Sequence, residues 1–429
     1  ILTVPLFAQA GSPFLSSQYW AANPSIEEIE RGIADGFSVT ETNNNGFDAT
    51  TYAILGNAPL ETVKYLIGQG NDVNKITHDA RTYVFWAGYR GNLPLVKYLV
   101  ENGARMDLRD SHGYTVLLFT ANGGHLTPEM GDYLVAHGAS LEEKTTESGA
   151  NALLLASYRF DDIADIDYYV DNGMDINTKD NSGNGIFYYA SRSGNTQLLS
   201  DLIKAGVDYK EKNPQGGNAF LSAVRNRENA LPFFEYLEGL GIDPNVQTAD
   251  GYTPVHYLAY RAQDTRMIEW FVDRGVDPNA VDTRSGNTAL MNAALYNDSM
   301  AVVTYFAERT HNINHQNNDG YSALTRAVRY ASPEVVHYLL ENNADVQVVD
   351  QDGNNLYAHL MKSYRPDAEQ EFMAKFDVLR ERGLDETHAQ GNGKTLYHLA
   401  ADNQDVAMFK LIHAMGSVVV NARDRDAYT

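Results

Sequence analysis

Four short stretches of this 429-residue chain carry residue types that could do chemistry. Gly391-Asn392-Gly393-Lys394-Thr395 ends as phosphate-cradling loops do, with a lysine for the phosphates and a hydroxyl for a magnesium ion. The glycine that opens such a loop would fall at position 388, which is His388, so the backbone lacks the freedom to wrap a phosphate. His311 and His315 stand four apart, and on a helix they would make half a zinc site. That segment reads as an extended loop, and no carboxylate supplies a clear third ligand. Asp180-Asn181-Ser182-Gly183-Asn184 and Asp350-Gln351-Asp352-Gly353-Asn354 begin like calcium loops, but neither has the glutamate that must close one at its twelfth position. Asp, Asn and Gly are also the ordinary residues of tight turns, and both stretches read as turns. Carboxylate pairs and Ser/His/Asp sets can be drawn from any chain this acidic, and none recurs in a context that predicts a cleft. The residues therefore point to a non-catalytic protein without metal or cofactor.

Composition narrows the class further. The chain has no cysteine, which excludes disulfides, cysteine zinc sites and thiol catalysis. The net charge of −23 argues against nucleic acid and anionic membrane surfaces as partners, and it favours a soluble monomer. Apolar content of 43% and charged content of 21% are those of a folded chain. After the first ten residues no stretch is long and apolar enough to span a bilayer, so membrane insertion is not expected. Residues 1–10 differ: Ile1-Leu2-Thr3-Val4-Pro5-Leu6-Phe7 is apolar, and Ala8-Gln9-Ala10 has the A-x-A form of a signal-peptidase site. This predicts the remnant of a bacterial secretory signal, a mature chain starting near Gly11, and a periplasmic or secreted location, with the cytoplasm as the alternative.

The elements that position everything else come from an internal repeat. Gly46, Gly113, Gly149, Gly183, Gly216, Gly251, Gly286, Gly320, Gly353 and Gly393 recur in a similar context, with Ala80 filling the one gap. The spacings run from 33 to 36 residues, except for 40 in the last interval. Asp250-Gly251-Tyr252-Thr253-Pro254-Val255-His256 opens one unit, and Gly286-Asn287-Thr288-Ala289-Leu290 and Gly393-Lys394-Thr395-Leu396-Tyr397-His398 open others. Units close on a G-x-D-x-N phrase, as at Gly70-Asn71-Asp72-Val73-Asn74, Gly173-Met174-Asp175-Ile176-Asn177 and Gly275-Val276-Asp277-Pro278-Asn279. The opening phrase resembles the D-G-x-T-P-L-H of ankyrin repeats, and the period agrees. The resemblance covers residues 24–429 and implies an all-α solenoid of eleven helix-turn-helix units with short β-hairpin tips.

Each phrase has a physical reading. The turn glycine accepts φ > 0. Thr253, Thr288, Ser322 and Thr395 are placed to cap an inner helix, and Pro254 fits its first position. Ala156, Ala190, Ala223, Ala259, Ala293 and Ala327 let inner helices approach closely. Outer helices show apolar spacing, as in Val63, Leu66 and Ile67 or Val335, Val336, Leu339 and Leu340, and they end at Gly70, Gly103, Gly138, Gly173, Gly206 and Gly241. Thr310 and Asn343 replace that glycine in two units. Tyr364-Arg365-Pro366-Asp367 marks an inserted loop between two helices. Residues 11–44, with Ile26, Ile29 and Ile33 on an outer helix ending at Gly36, are expected to cap the array spanning 45–429. Asp424 to Thr429 looks like the opening of a further unit, which predicts a chain cut short of its natural end.

One pattern points to function. Nine and ten residues after each turn glycine stand Tyr89 and Arg90, Tyr158 and Arg159, Arg192, Arg225, Tyr260 and Arg261, Tyr296, Arg329 and Tyr330, and Lys362. Six of the 21 arginines fall here. The resemblance implies that these inner-helix ends line a concave groove, and Tyr and Arg are favoured anchors of interfaces. The competing reading is a surface balance in which the arginines merely pair with neighbouring carboxylates. A second row, Tyr52, Trp86, Phe119, Leu155, Tyr189 and Tyr257, reads as packing between repeats. The expected function is capture of a partner protein along the groove. The alternative is the targeting arm of an enzyme or effector whose catalytic domain lies beyond Thr429.

Overall fold

A computed structural model describes residues 11–225, 230–297, 299–403, 405–416, 422–426 and 428. The expected leader remnant, residues 1–10, lies outside the described residues, as do Ala427 and Thr429 of the expected further opening. The chain is mostly helical and forms two compact units, one ending at Asn213 and the other beginning at Pro214.

Phe14 and Trp20 are fully buried, and the Trp20 indole N–H donates to the Phe14 carbonyl at 2.8 Å. The helix Ile26–Ala34 opens with a reciprocal cap, in which Ser25 Oγ accepts the Glu28 N–H and the Glu28 carboxylate accepts the Ser25 N–H. It buries Ile29, and Gly36 follows it in the left-handed conformation. Inner helices Ala49–Leu55, Tyr83–Tyr89, Val116–Gly123, Ala152–Ala156 and Ile186–Ala190 then pack one on the next. Outer helices such as Leu60–Gly68, Leu93–Glu101 and Thr196–Lys204 cover them. The second unit repeats the plan, with inner helices Pro254–Arg261, Ala289–Tyr296, Ala323–Tyr330, Leu356–Met361 and Leu396–Asp402.

Local chemistry explains the boundaries. Thr288 Oγ1 and Ser322 Oγ accept the N–H three residues on, as the spacing predicts. Thr253 and Thr395 instead donate their own N–H groups to His256 Nδ1 and His398 Nδ1, each at 3.2 Å, which gives the opening histidine a capping role. The six predicted helix-ending glycines all have φ between +82° and +108°. Asn343 takes the same conformation at +67°, whereas Thr310 ends its helix in an extended one. The alanines of the inner helices are buried to the last few per cent, so helix backbones meet without intervening side chains. On the outer helices, Leu95, Val96 and Leu99 are wholly buried, each worth about 1.5–3 kcal/mol.

Neighbouring turns are tied backbone to backbone. Ser111 N–H donates to the Asp79 carbonyl, Asn181 to Ser148, Thr283 to Asp250, Asn318 to Ser285 and Gln351 to Asp319, at 2.7–3.1 Å. The closing phrase makes a second rung. Asn74 donates its amide to the Gly103 carbonyl and accepts the Arg105 N–H, and Asn279 and Asn314 do the same one period on.

Two expectations need correction. Hairpin tips with strand pairing are rare: among the described residues one ladder pairs Val281–Asp282 with Asn287–Thr288, and two isolated bridges join Thr42 to Asp48 and Lys144 to Asn151. In the turn at Asp180 the Asp180 N–H donates to the Asn184 carbonyl and the Gly183 N–H to the Asp180 carbonyl, while the Asp180 side chain takes the N–H groups of Ser182 and Asn184. The insertion is also not simply a loop. A 3-10 turn at Pro366–Ala368 leads into Glu369–Glu381, an outer helix of 13 residues where most have nine or ten.

Gly251 shows how tightly the turns are set. Its φ is +82°, and a β-carbon there would collide with the Val281 carbonyl oxygen of the next turn. Gly251→Ala should lower the free energy of unfolding by more than about 1 kcal/mol, combining a disfavoured φ with a backbone clash. Gly239→Ala, on an open helix face with nothing within 4 Å, should not. Urea denaturation followed by circular dichroism checks both, and equal stability of the two variants would contradict the assignment.

Candidate functional site

Because the inner helices stack, their last residues recur along one side of each unit. In the first unit Arg90 caps Tyr83–Tyr89 and donates to Asn57 Oδ1 at 3.0 Å. Tyr158 and Arg159 form the 3-10 turn that follows Ala152–Ala156. The Tyr158 hydroxyl donates to the Asn122 carbonyl at 2.6 Å, which fixes the ring, and two guanidinium groups lie over that ring, Arg192 at 4.4 Å and Arg159 at 4.9 Å. His125 sits close to this line. Burial, Arg90 and Arg159 all push its imidazole below its usual range. Tyr89 is different: half-buried, it stacks on Phe119 with centroids 4.8 Å apart, and it belongs with the packing residues.

In the second unit Arg225 lies over Tyr257 at 5.7 Å. Tyr260 and Arg261 end Pro254–Arg261, where Tyr260 is half-buried and Arg261 exposed. Arg261 also lines a cavity of about 410 Å³ with Leu231, Pro232 and Met267. Tyr296 and Tyr330 are 59% and 41% exposed and meet as tilted rings with centroids 5.3 Å apart, with Arg329 over Tyr330 at 4.8 Å. Two large aromatic rings thus lie side by side at the surface.

The arginines at turns and on outer helices mostly have carboxylate partners: Arg81 with Asp79 and Asp110, Arg274 with Glu238, Arg284 with Asp250. Among the described residues, none of Arg90, Arg159, Arg192, Arg225, Arg261 and Arg329 makes an ion pair. Arg90 rests on an amide oxygen, and Arg159, Arg192, Arg225 and Arg329 lie over tyrosine rings.

The second row packs. Trp86, Phe119 and Leu155 are buried, Trp86 meets Phe119 at 5.6 Å, and Arg81 lies over both rings. Tyr189 donates to Asp180 at 2.8 Å. The chemical motifs resolve into turn structure. Asp180 and Asp350 accept backbone N–H groups of their own turns. Lys394 pairs with Asp402, and His315 Nε2 meets the Gly286 carbonyl at 2.8 Å in a segment that is not helical. Among the described residues no group of three or more His, Asp or Glu is placed to hold a metal ion, and no helix is long and apolar enough to cross a membrane.

The sequence pattern alone did not mark His359, which closes the floor of a cavity of about 180 Å³ lined by Tyr296, Tyr321, Arg326, Arg329 and Tyr330. Its Nε2 lies 3.0 Å from Asp350 Oδ2. Burial outweighs that carboxylate and pushes the imidazole down to about 4.

The comparisons agree with this architecture. A family model described as ankyrin repeats (3 copies) matches residues 50–145, 84–180, 220–316 and 255–350, which together cover more than half of the chain. The chain belongs to the ankyrin-repeat family. It is 23% identical over 335 residues to an ankyrin repeat domain-containing protein of Myxoma virus, covering 76% of this chain and 60% of that one. It is 23% identical to an ankyrin repeat protein of Acanthamoeba polyphaga mimivirus, over 66% of this chain and 32% of that one. A palmitoyltransferase of Lachancea kluyveri is 27% identical, over 50% of this chain and 30% of its own length. The chain thus spans between about a third and three fifths of the length of these relatives.

The folded His359 binds its proton less readily than an ordinary imidazole, with pKa about 4 against 6.5. Between those values the unfolded chain takes up the extra proton, so the contribution to stability is full above about pH 6.5 and is lost as pH falls toward 4. Replacing His359 with Gln should remove a pH-dependent loss on the order of 3 kcal/mol across that window. Urea titrations at several pH values check this, and an unchanged pH slope in the variant would refute it.

Proposed function

We propose that this protein is a non-catalytic binding module that holds a segment of a partner protein along the inner-helix ends. One observation carries the reading: six arginines on a chain of net charge −23 stand unpaired among the described residues, several of them laid on tyrosine rings. Ankyrin repeats serve generally as protein-interaction modules, and this row supplies aromatic and guanidinium anchors spread over successive repeats. An extended, acidic segment suits it best, since unpaired cations attract carboxylates and the acidic body repels other parts of such a partner. We take the array as eleven units and the protein as a monomer that does not bind nucleic acid, in keeping with its charge. The A-x-A phrase at Ala8-Gln9-Ala10 supports export to a bacterial periplasm or beyond; the relatives above are viral and eukaryotic and add no support to that placement.

A second reading has its own observation. The palmitoyltransferase and an L-asparaginase of Dirofilaria immitis, 27% identical over 152 residues, match this chain over only 30% and 25% of their lengths. An array of this kind can accompany catalysis, and here it would serve as the targeting arm of an enzyme or effector with its catalytic domain beyond Thr429.

Changing Arg90, Arg159, Arg261 and Arg329 together to Ala should cut capture of a partner by more than about tenfold, since hot-spot arginines cost at least ~2 kcal/mol each when truncated. The melting temperature should change little, because none of the four is buried. Affinity capture with both proteins, quantified by mass spectrometry, makes the comparison; a partner retained equally by the variant would remove the assignment.

A further inference from the structure

The insertion between Leu356–Met361 and Glu369–Glu381 walls a cavity of about 320 Å³ that the repeat plan does not require. Arg329, Lys362, Arg365 and Lys375 line it, with Glu371 as the sole carboxylate of the lining, and Tyr330, Ser363 and Tyr364 contribute hydroxyl-bearing side chains. Among the described residues Arg329, Lys362 and Arg365 make no ion pair. Lys375 meets Glu371 at 3.2 Å, which leaves three cations uncompensated in one concavity of an acidic protein.

Lys375 is the telling residue. Phe372, Lys375, Phe376 and Leu379 form the buried stripe of their helix, at the spacing that faces a core. Lys375 is only 3% exposed, and a leucine or methionine there would bury without any desolvation of charge. Burial and the nearby Arg365 both work against its protonation, while Glu371 and Glu334 support it. An ammonium group held in a core position against this cost, at the wall of a cavity, is built to meet negative charge. The floor is rigid: Tyr364 is buried edge-on against Phe372 at 5.2 Å, and its hydroxyl donates to Glu369 at 3.3 Å.

We infer that this cavity is a binding site for a phosphate monoester, with Arg329, Lys362, Arg365 and Lys375 as its ligands and the Tyr330 ring at its mouth. A single carboxylate would neutralise only one of the three free cations. A phosphoryl group carries nearly two charges and three acceptor oxygens, which matches two or three converging donors, and arginine can bind it through two parallel N–H groups. The site goes beyond the groove reading, and its test uses no partner protein, so each can fail without the other.

The test is isothermal titration of the full chain with phenyl phosphate, with inorganic phosphate and with benzoate, at low ionic strength. Saturable binding of phenyl phosphate at millimolar concentration or below is expected, with benzoate bound at least about tenfold more weakly. Tighter binding of phenyl phosphate than of inorganic phosphate would assign the site to a phosphoryl group carried on a larger molecule. Equal binding of the two would overturn the assignment to a monoester. Lys362→Ala with Arg365→Ala, both exposed and outside the core, should weaken binding by about tenfold or more without moving the melting temperature. Lys375→Met should abolish binding and hold or raise thermal stability. No saturable phosphate signal, benzoate bound as well as phosphate, or unchanged affinity in the double variant would each overturn the proposal.

Discussion

No repeat of this chain can bury its own inner helix, and that constraint organises everything else. The helices that end at Tyr89, Arg261, Tyr296 and Tyr330 are only seven or eight residues long, too short to persist alone in water. They are helices because another helix covers them on each side, and the cover is close because alanine occupies the contact. The turns keep that contact in step. A left-handed residue aims each turn so that its backbone meets the next one, and the closing-phrase asparagine bridges the same two repeats at a second height. Two rungs fix rotation as well as distance. A repeat can therefore change its surface residues freely, whereas its turn and its small inner residues are held by both neighbours.

The proposed binding surface follows from that register. Inner helices held in step bring their last residues into line, so one side-chain choice per repeat becomes a stripe within each unit. The carboxylates are drawn elsewhere. Asp110, Asp180 and Asp350 bind the N–H groups of their own turns, and outer-helix acids pair with nearby Lys and Arg. The distribution leaves guanidinium groups of the stripe on tyrosine faces, where attraction to a ring replaces a salt bridge and the charge stays open to a ligand. A strongly negative protein can in this way present locally positive ground, and the surrounding negative charge disfavours partners that are acidic throughout.

How much of this was legible in the sequence depends on the range of the interaction. The turn glycines, the Thr and Ser caps, the helix-ending glycines and the closing phrase all act within a few residues or at one fixed period, so residue type and spacing reveal them. The part of His256 and His398 in capping was hidden, because family likeness marks the histidine without saying what its ring accepts. Tyr89 and Tyr158 occupy the same place in the repeat, yet one is stacked on Phe119 and the other carries two guanidinium groups. The difference lies in the neighbouring repeat, which sets Phe119 against Tyr89 and Arg192 over Tyr158. His359 needed the most distant information: only the stacked repeats show that Tyr321 and Asp350 enclose it.

The one irregular interval tests the logic of the array. Lengthening a repeat from 34 to 40 residues cannot lengthen its inner helix, which both neighbours clamp, so the added chain goes to the connection and the outer helix. The longer outer helix keeps its apolar stripe at Phe372, Phe376 and Leu379, and the stripe would be complete with any aliphatic residue at 375. A lysine stands there instead. Three further cations converge on the same cavity, two of them, Arg329 and Lys362, from positions that in other repeats only end an inner helix. An insertion made solely to fill space would not combine a buried ammonium group with unpaired neighbours of the same sign. Like charges gathered in one concavity repel one another, and an anion bound among them would offset that repulsion.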